Sequence, residues 1–339
     1  MDRLIYSQAE IEAEVDDLSP HMECGLKLHG GFDEDRRYIS PRTKYRWQAV
    51  NAWERQLESK NVALVNASTA LLTEPNYPNV RQQLFLLESG IEQNLWNSLT
   101  ITGIVEGRGR ALVGLIAPDF QEIIVEDISS MSLGHMNKGL LRTHGWDEGG
   151  REESDLGGHD TMWYAVRDLI FGKGKYPQPT PPVSIGRAKN EREMELVPPE
   201  YEGILNLLMN VLMIEIRAER AFCYFEDVIN ESKVLYNTSL AVTLVNRIRA
   251  DEAIHVAWLR TAISEFGHCT VKTSDGHMKG WDIIGPVWEK MVHWHSVEMH
   301  EVNRETNVKG MEKVLLDAPN GVELLSTFRN LGDRQMFDG

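Results

Sequence analysis

The chain contains little that would tie it to a disulfide framework, to nucleic acid or to a membrane. Its 339 residues hold three cysteines, Cys24, Cys223 and Cys269, with no Cys-x-x-Cys spacing. An odd, scattered set of this kind reads as reduced thiols. Basic runs are missing, and the formal net charge of −16 leaves no cationic face for a phosphate backbone. No apolar stretch reaches the roughly 18 residues that a membrane-spanning helix needs. The opening residues are polar and acidic (Asp2, Glu10, Glu12, Glu14, Asp16, Asp17), unlike a signal or transit peptide. The expectation is a cytoplasmic protein that binds neither nucleic acid nor membrane. Gly107-Arg108-Gly109-Arg110 is followed by no Gly-Lys-Ser/Thr and reads as a turn. A serine hydrolase has no nucleophile elbow here.

Strand-type alternation is also scarce, and helical periodicity fills most of the chain. Hydrophobic residues at 42% and charged residues at 25% are ordinary for a protein with an ample core. The spacing predicts helices over 46–57, 80–104, 120–143, 161–171, 201–231, 239–266 and 286–305. Residues 145–158 read as a Gly-rich acidic loop and 172–187, with four prolines, as a crossover. The organisation expected is an arm with loops over 1–42, one helical domain over 43–331 and a tail over 332–339. The fold class expected is all-α, a four-helix bundle with peripheral helices and a metal-binding core at about 80–265.

The chemistry points to Glu252 and His255, which lie i and i+3 and so share a helix face. Their neighbours Leu244, Val245, Ile248 and Leu259 are apolar. A carboxylate and an imidazole aimed at a core are costly unless a metal neutralises them. The four-helix solution takes one Glu from each of two helices and a Glu-x-x-His from each of the other two. Glu219 fits the partner helix, Glu92 the pseudo-symmetric place and His135 the second histidine. Glu88 and Glu215, each one turn away, are the alternates. Where the last glutamate is expected stands Ser132. The gap could be filled by Glu88, Glu215, water, substrate or Asp155. His293, His295 and His300 spread around their helix and read as a solvated face.

Arg249-Ala250-Asp251-Glu252-Ala253-Ile254-His255 resembles the last ligand helix of the ferritin-like di-iron superfamily. The Glu219-to-Glu252 interval is similar to that of bacterioferritins. Leu212-Met213-Ile214-Glu215 looks like the equivalent helix of aldehyde-deformylating oxygenases. His135, His144, Gly145 and Gly150-Arg151-Glu152-Glu153 are loosely similar to the benzoyl-CoA epoxidase oxygenase subunit.

The resemblance implies a ferritin-like fold and a pair of metals, two irons or iron plus manganese, activated by reduction and binding O2. The activity it implies is an oxygenase acting on a small organic substrate, aromatic or amine. An electron donor or reductase would serve as partner, and a homodimer is allowed for. Asp251 would accept the N–H of a ligand histidine, His135. Tyr224 would be a nearby hydrogen-bond donor or redox tyrosine. No catalytic side chain beyond these is singled out. Trp47, Trp53, Trp163 and Trp288 are the expected walls of a substrate pocket. Two other readings remain: a ferritin-like metal-storage or oxidant-scavenging protein, and a non-catalytic supporting subunit.

Overall fold

The computed structural model describes residues 2–188 and 191–333, so the tail expected at 332–339 lies outside the described residues from 334 onward. The chain is mostly helical. Residues 2–42 carry a single-turn helix, α1 (Gln8–Ile11), and a small antiparallel sheet of β1 (Ser19–Glu23), β2 (Leu26–Phe32) and β3 (Tyr38–Ile39). This segment packs onto the helices. Tyr6 and Ile11 are buried, and β2 is tied to residue 157 by His29 N–H to the Gly157 carbonyl at 2.9 Å.

Next come α2 (Arg46–Ser59), α3 (Val80–Glu88), α4 (Gln93–Arg108), α5 (Leu140–Gly149) and α6 (His159–Phe171). Two long helices follow, α7 (Pro199–Glu231) and α8 (Thr238–His268). The hairpin β4 (Thr270–Thr273) and β5 (Gly276–Lys279) leads to α9 (Gly280–His293), α10 (Met299–Leu316) and α11 (Gly321–Asp333). A π-helical turn, Trp294–Glu298, joins α9 to α10. Among the described residues no helix is long and apolar enough to cross a membrane.

Four helices set the frame. α4 packs along α6, α7 along α8, and α6 against α8. The first pair is antiparallel: Arg167 of α6 stacks over Trp96 of α4 at 4.8 Å and its Nη1 donates to Thr100 at 3.1 Å. The second is antiparallel too, with Arg249 of α8 paired to Glu219 of α7 at 2.6 Å. The apolar core falls in two parts. One takes Tyr201 to Ile216 of α7 and Ile254 to Phe266 of α8, together with α2, α5 and α9. The other takes Phe222 to Ile229 of α7 and Ala241 to Ile248 of α8, with α4 and α6. Between them lies a layer of buried charge.

Three segments depart from the periodicity. The helix expected over 80–104 is broken at Gly90, whose φ of +76° costs little only for glycine. Gly90 N–H donates to Leu87 and Ile91 N–H to Leu86, a Schellman close to α3. Of the helix expected over 120–143 only 140–143, the start of α5, is α-helical; before it stand two short 3-10 turns, Phe120–Glu122 and Leu133–Lys138, with irregular chain between. Apolar residues at helical spacing there serve a packed loop. Conversely, 145–149 lies inside α5, although the composition reads as loop.

Candidate metal centre

Six buried donors converge in the charged layer. Glu106 ends α4, Glu148 ends α5, His159 starts α6, Glu215 lies mid-α7, and Glu252 and His255 share one face of α8. His159 Nδ1 lies 3.0 Å from Glu252 Oε1, 3.4 Å from Glu148 Oε1 and 3.7 Å from Glu106 Oε2. His255 Nδ1 lies 2.7 Å from Glu252 Oε2 and 3.1 Å from Glu148 Oε1. Both imidazoles therefore turn Nδ1 toward the same carboxylates. Glu148 is seated closely: a Cβ at Gly109 would stand 2.4 Å from its Cγ, so a side chain there would displace it.

The opposite nitrogens face carboxylates. His255 Nε2 is 3.0 Å from Asp147 Oδ2, and His159 Nε2 is 3.5 Å from Asp251 Oδ2. Asp147 also takes Arg46 Nη2 at 2.7 Å and a hydrogen-bonded contact from Arg42, both arginines fully buried. Asp251 also accepts from Tyr38 Oη at 2.8 Å and His29 Nε2 at 3.0 Å. Residues 29 to 46 thus wrap the site from outside the bundle, a role that their mixed composition does not advertise.

The electrostatics follow from burial and crowding. Burial, then Glu252 and Glu106, push the Glu148 carboxyl well above its usual range. Burial, then Glu252, raise Glu215 to about 7. Burial raises Glu252 as well, His159 opposing it. For His159 burial alone would lower the pKa, but Glu252, Asp251, Glu106 and Glu148 outweigh it and hold it well above the usual value. Burial likewise opposes the Asp147 charge, yet Arg42, Arg46 and His255 pull its carboxyl far down.

His144 stands beside this group without the same role. Its ring stacks on His255 at 3.8 Å, and its Nε2 is 3.0 Å from Glu215 Oε1. Burial and the neighbouring His255 lower its pKa to about 4, so it is neutral. Its Nδ1 accepts the Trp258 indole N–H at 3.2 Å. The single ring proton is then on Nε2, donated to Glu215. In this tautomer His144 orients Glu215; with its proton on Nδ1 instead, the Nε2 lone pair would face Glu215 and Glu148, 3.7 Å from Glu148 Oε1.

The structure brings together Glu252, His255 and the alternate Glu215, and it separates the other residues proposed from sequence. Glu92 lies beyond the Gly90 break at the start of α4, paired to Lys175 and 3.3 Å from Tyr176 Oη. Glu219 turns one helical step away and is held by Arg249. Glu88 and Asp155 are exposed. His135 sits in a 3-10 turn, its Nδ1 on the Met131 carbonyl at 2.7 Å and its Nε2 accepting Tyr6 N–H at 3.0 Å. Ser132 fills no ligand gap: it binds Glu265, Oγ to Oε2 at 2.5 Å. Asp251 stands behind a histidine as expected, but behind His159 and His29, not His135. The Tyr224 hydroxyl donates to Gln83 at 3.4 Å, outside the cluster. Trp53 and Trp163 are core residues. His295, expected in solvent, is buried.

Sequence reasoning missed Glu106, Glu148 and His159. A signal was there: Asp147-Glu148 repeats Asp251-Glu252, and both dipeptides lie in helices with the glutamate inward.

These buried His and Glu groups could hold metal. One ligand atom each from Glu148, His159, Glu252 and His255 lie within 4.8 Å of one another, and a second such group comprises His144, Glu148, Glu215 and His255. Glu148 Oε1, Glu252 Oε1 and both His159 ring nitrogens are buried without a hydrogen bond, each costing about 1–3 kcal/mol if left so. A cation bound by Glu148 and Glu252 would satisfy those oxygens and reverse the carboxylate repulsion. No protein-family model, curated protein or solved structure matches this chain.

Proposed function

We propose that this chain is an O2-dependent oxygenase of ferritin-like architecture. Its dinuclear non-heme metal centre, di-iron or manganese–iron, would oxidise a small organic substrate. The observation that carries the reading is the donor arrangement. Glu106 and Glu215 are the single carboxylates of two helices, and Glu252 with His255 is one Glu-x-x-His pair. Glu148 with His159 is the second pair, divided by residues 150–158. Four carboxylates and two imidazoles without thiolate suit iron or manganese, and four negative charges balance two divalent ions.

When bound, such a redox-active pair supplies the activation of O2. The chain's own residues have narrower tasks. Glu106, Glu148, Glu215 and Glu252 would hold the metals together with His159 and His255. Asp147 hydrogen-bonds His255 Nε2 and Asp251 lies 3.5 Å from His159 Nε2; these carboxylates would orient the two rings. Arg42 and Arg46 offset the Asp147 charge. His144 directs Glu215. The two apolar half-cores on either side exclude bulk water. Electrons come from an external donor or reductase.

The test is metal identity and stoichiometry after growth with iron and manganese, with anomalous diffraction at both absorption edges, then O2 uptake with a reductant. Two metals at these six residues and uptake that depends on an organic substrate support the oxygenase. A shell-sized oligomer that takes up iron with no organic substrate supports storage instead. Metal content near zero leaves a supporting subunit and overturns the proposal.

A further inference from the structure

On the face of α7 away from the metal centre, α10 bridges a deep cleft. Its larger cavity, about 1510 Å³, is lined by Arg217, His300, Asn303 and Arg304 among others. A second cavity of about 650 Å³ shares Asn76, Tyr77 and Asn307 with it and continues between α4, α7 and α10. None of the six donors lines either. Glu215 and Arg217 are two residues apart, about 200° around the helix, so one helix presents the metal donor inward and the guanidinium to the cleft.

Arg217 is the unusual group. It is largely buried, yet its contacts are neutral: Nη1 donates to the Ile185 carbonyl at 3.1 Å and to His295 Nδ1 at 3.3 Å. Among the described residues no carboxylate pairs with it. His295 supplies no counter-charge: burial and Arg217 hold its imidazole neutral. Its Nε2–H is used on Asn210 Oδ1 at 3.3 Å. The acids Asp227 and Glu231 lie at least ten residues further along α7, about 15 Å. Glu74 is nearer to Arg220 and His300, on which its charge acts. An unpaired buried charge is costly.

Arg304 of α10 lines the same cavity, exposed and without an ion-pair partner among the described residues. The π turn Trp294–Glu298 seats His295 against Arg217, and its Trp294 lines the cavity. Such turns occur frequently at functional sites. In the second cavity two more polar atoms lack partners, Gln83 Nε2 and Asn97 Oδ1, beside Tyr224 and Phe225.

We propose that this cleft binds a small organic oxyanion, its carboxylate or phosphate seated on Arg217 and Arg304. The body of the ligand extends toward Tyr224 and Phe225. The guanidinium forks match the planar or tetrahedral oxygens of such a group. This site stands apart from the metal reading and does not need it.

The experiment is calorimetric titration of the protein as purified with inorganic phosphate and, separately, with octanoate at constant ionic strength. Metal content is measured on the wild type, Arg217→Gln and Arg304→Gln. Binding of at least one anion at about millimolar strength is expected, with Arg217→Gln weakening it about tenfold or more at unchanged metal content. Phosphate binding alone assigns a phosphate ester, and octanoate binding alone a carboxylate. The proposal is overturned if neither anion binds, or if binding survives the substitutions. It is also overturned if metal and anion are lost together, which would place Arg217 in the service of the metal centre. Arg304 is exposed, so that variant folds and decides the matter if Arg217→Gln does not.

Discussion

Asp147 holds His255 from a helix 108 positions earlier in the chain, Oδ2 to Nε2 at 3.0 Å. The partnership fixes which imidazole nitrogen faces the carboxylates, and Asp251 repeats it behind His159. The two aspartates are each followed by an inward glutamate. The centre is therefore two copies of one device, in which an aspartate orients the histidine belonging to the opposite glutamate's half.

Asp251→Asn removes the charge behind His159 and keeps the volume. Metal affinity should fall about 10- to 100-fold, read by chelator competition, with helical content retained. Asp147→Asn should also lower thermal stability, because it leaves Arg42 and Arg46 buried with less compensation. Breaking a buried pair costs about 3–5 kcal/mol.

His144→Gln and His159→Gln separate an orienting histidine from a binding one. His159→Gln should lose at least one metal per chain by elemental analysis. His144→Gln, which can still donate to Glu215, should retain both. Equal metal loss in the two would show that His144 binds through a different tautomer.

Glu148→Gln should invert its effect with loading. The folded pKa of Glu148 lies well above its unfolded value. Its contribution to stability is therefore fully present below about pH 4.3 and is lost as pH rises through the folded pKa. In chelator at pH 8 the variant should melt above the wild type. With saturating Mn(II) or Fe(II) the order should reverse, since ligand at 100 times Kd adds about 2.7 kcal/mol only where the site is intact.

Ser132→Glu, which would complete the pattern suggested by sequence, should destabilise the protein and add no metal. Position 132 faces Glu265, whose carboxylate accepts Ser132 N–H at 3.0 Å and Leu133 N–H at 3.1 Å. Burial raises Glu265 to about 7. Its stabilising share is present below about pH 4.3 and declines as pH rises through about 7. Thermal melts of Glu265→Gln should show less loss between pH 5 and 8 than the wild type; an unchanged slope would remove Glu265 as its source.

What the sequence disclosed divides along the same line as the centre. Glu252 and His255 were legible because both lie on one long uninterrupted helix, where spacing in sequence is spacing in space. The choice between Glu215 and Glu219 was not, since both sit a turn apart on α7. Arg249 reaches across from α8 and takes Glu219, leaving Glu215 as the carboxylate that faces the buried cluster. The other half was hidden by two breaks. Gly90 ends α3 and resets the register, so the inward carboxylate of the next helix is Glu106 and not Glu92. Residues 150–158 interrupt the second Glu-to-His spacing, so no fixed interval marks Glu148 and His159. The long helices α7 and α8 were readable, and the segment before residue 43 was not, because its contribution is made by single side chains such as His29, Tyr38 and Arg42.

The interruption at residues 150–158 has a mechanical consequence. A metal joining Glu148 to His159 closes a ring through that loop, much as a disulfide closes a ring of chain. Loading would therefore act as a clasp between α5 and α6, and the amides of residues 150–158 should exchange with solvent more slowly when the clasp is shut.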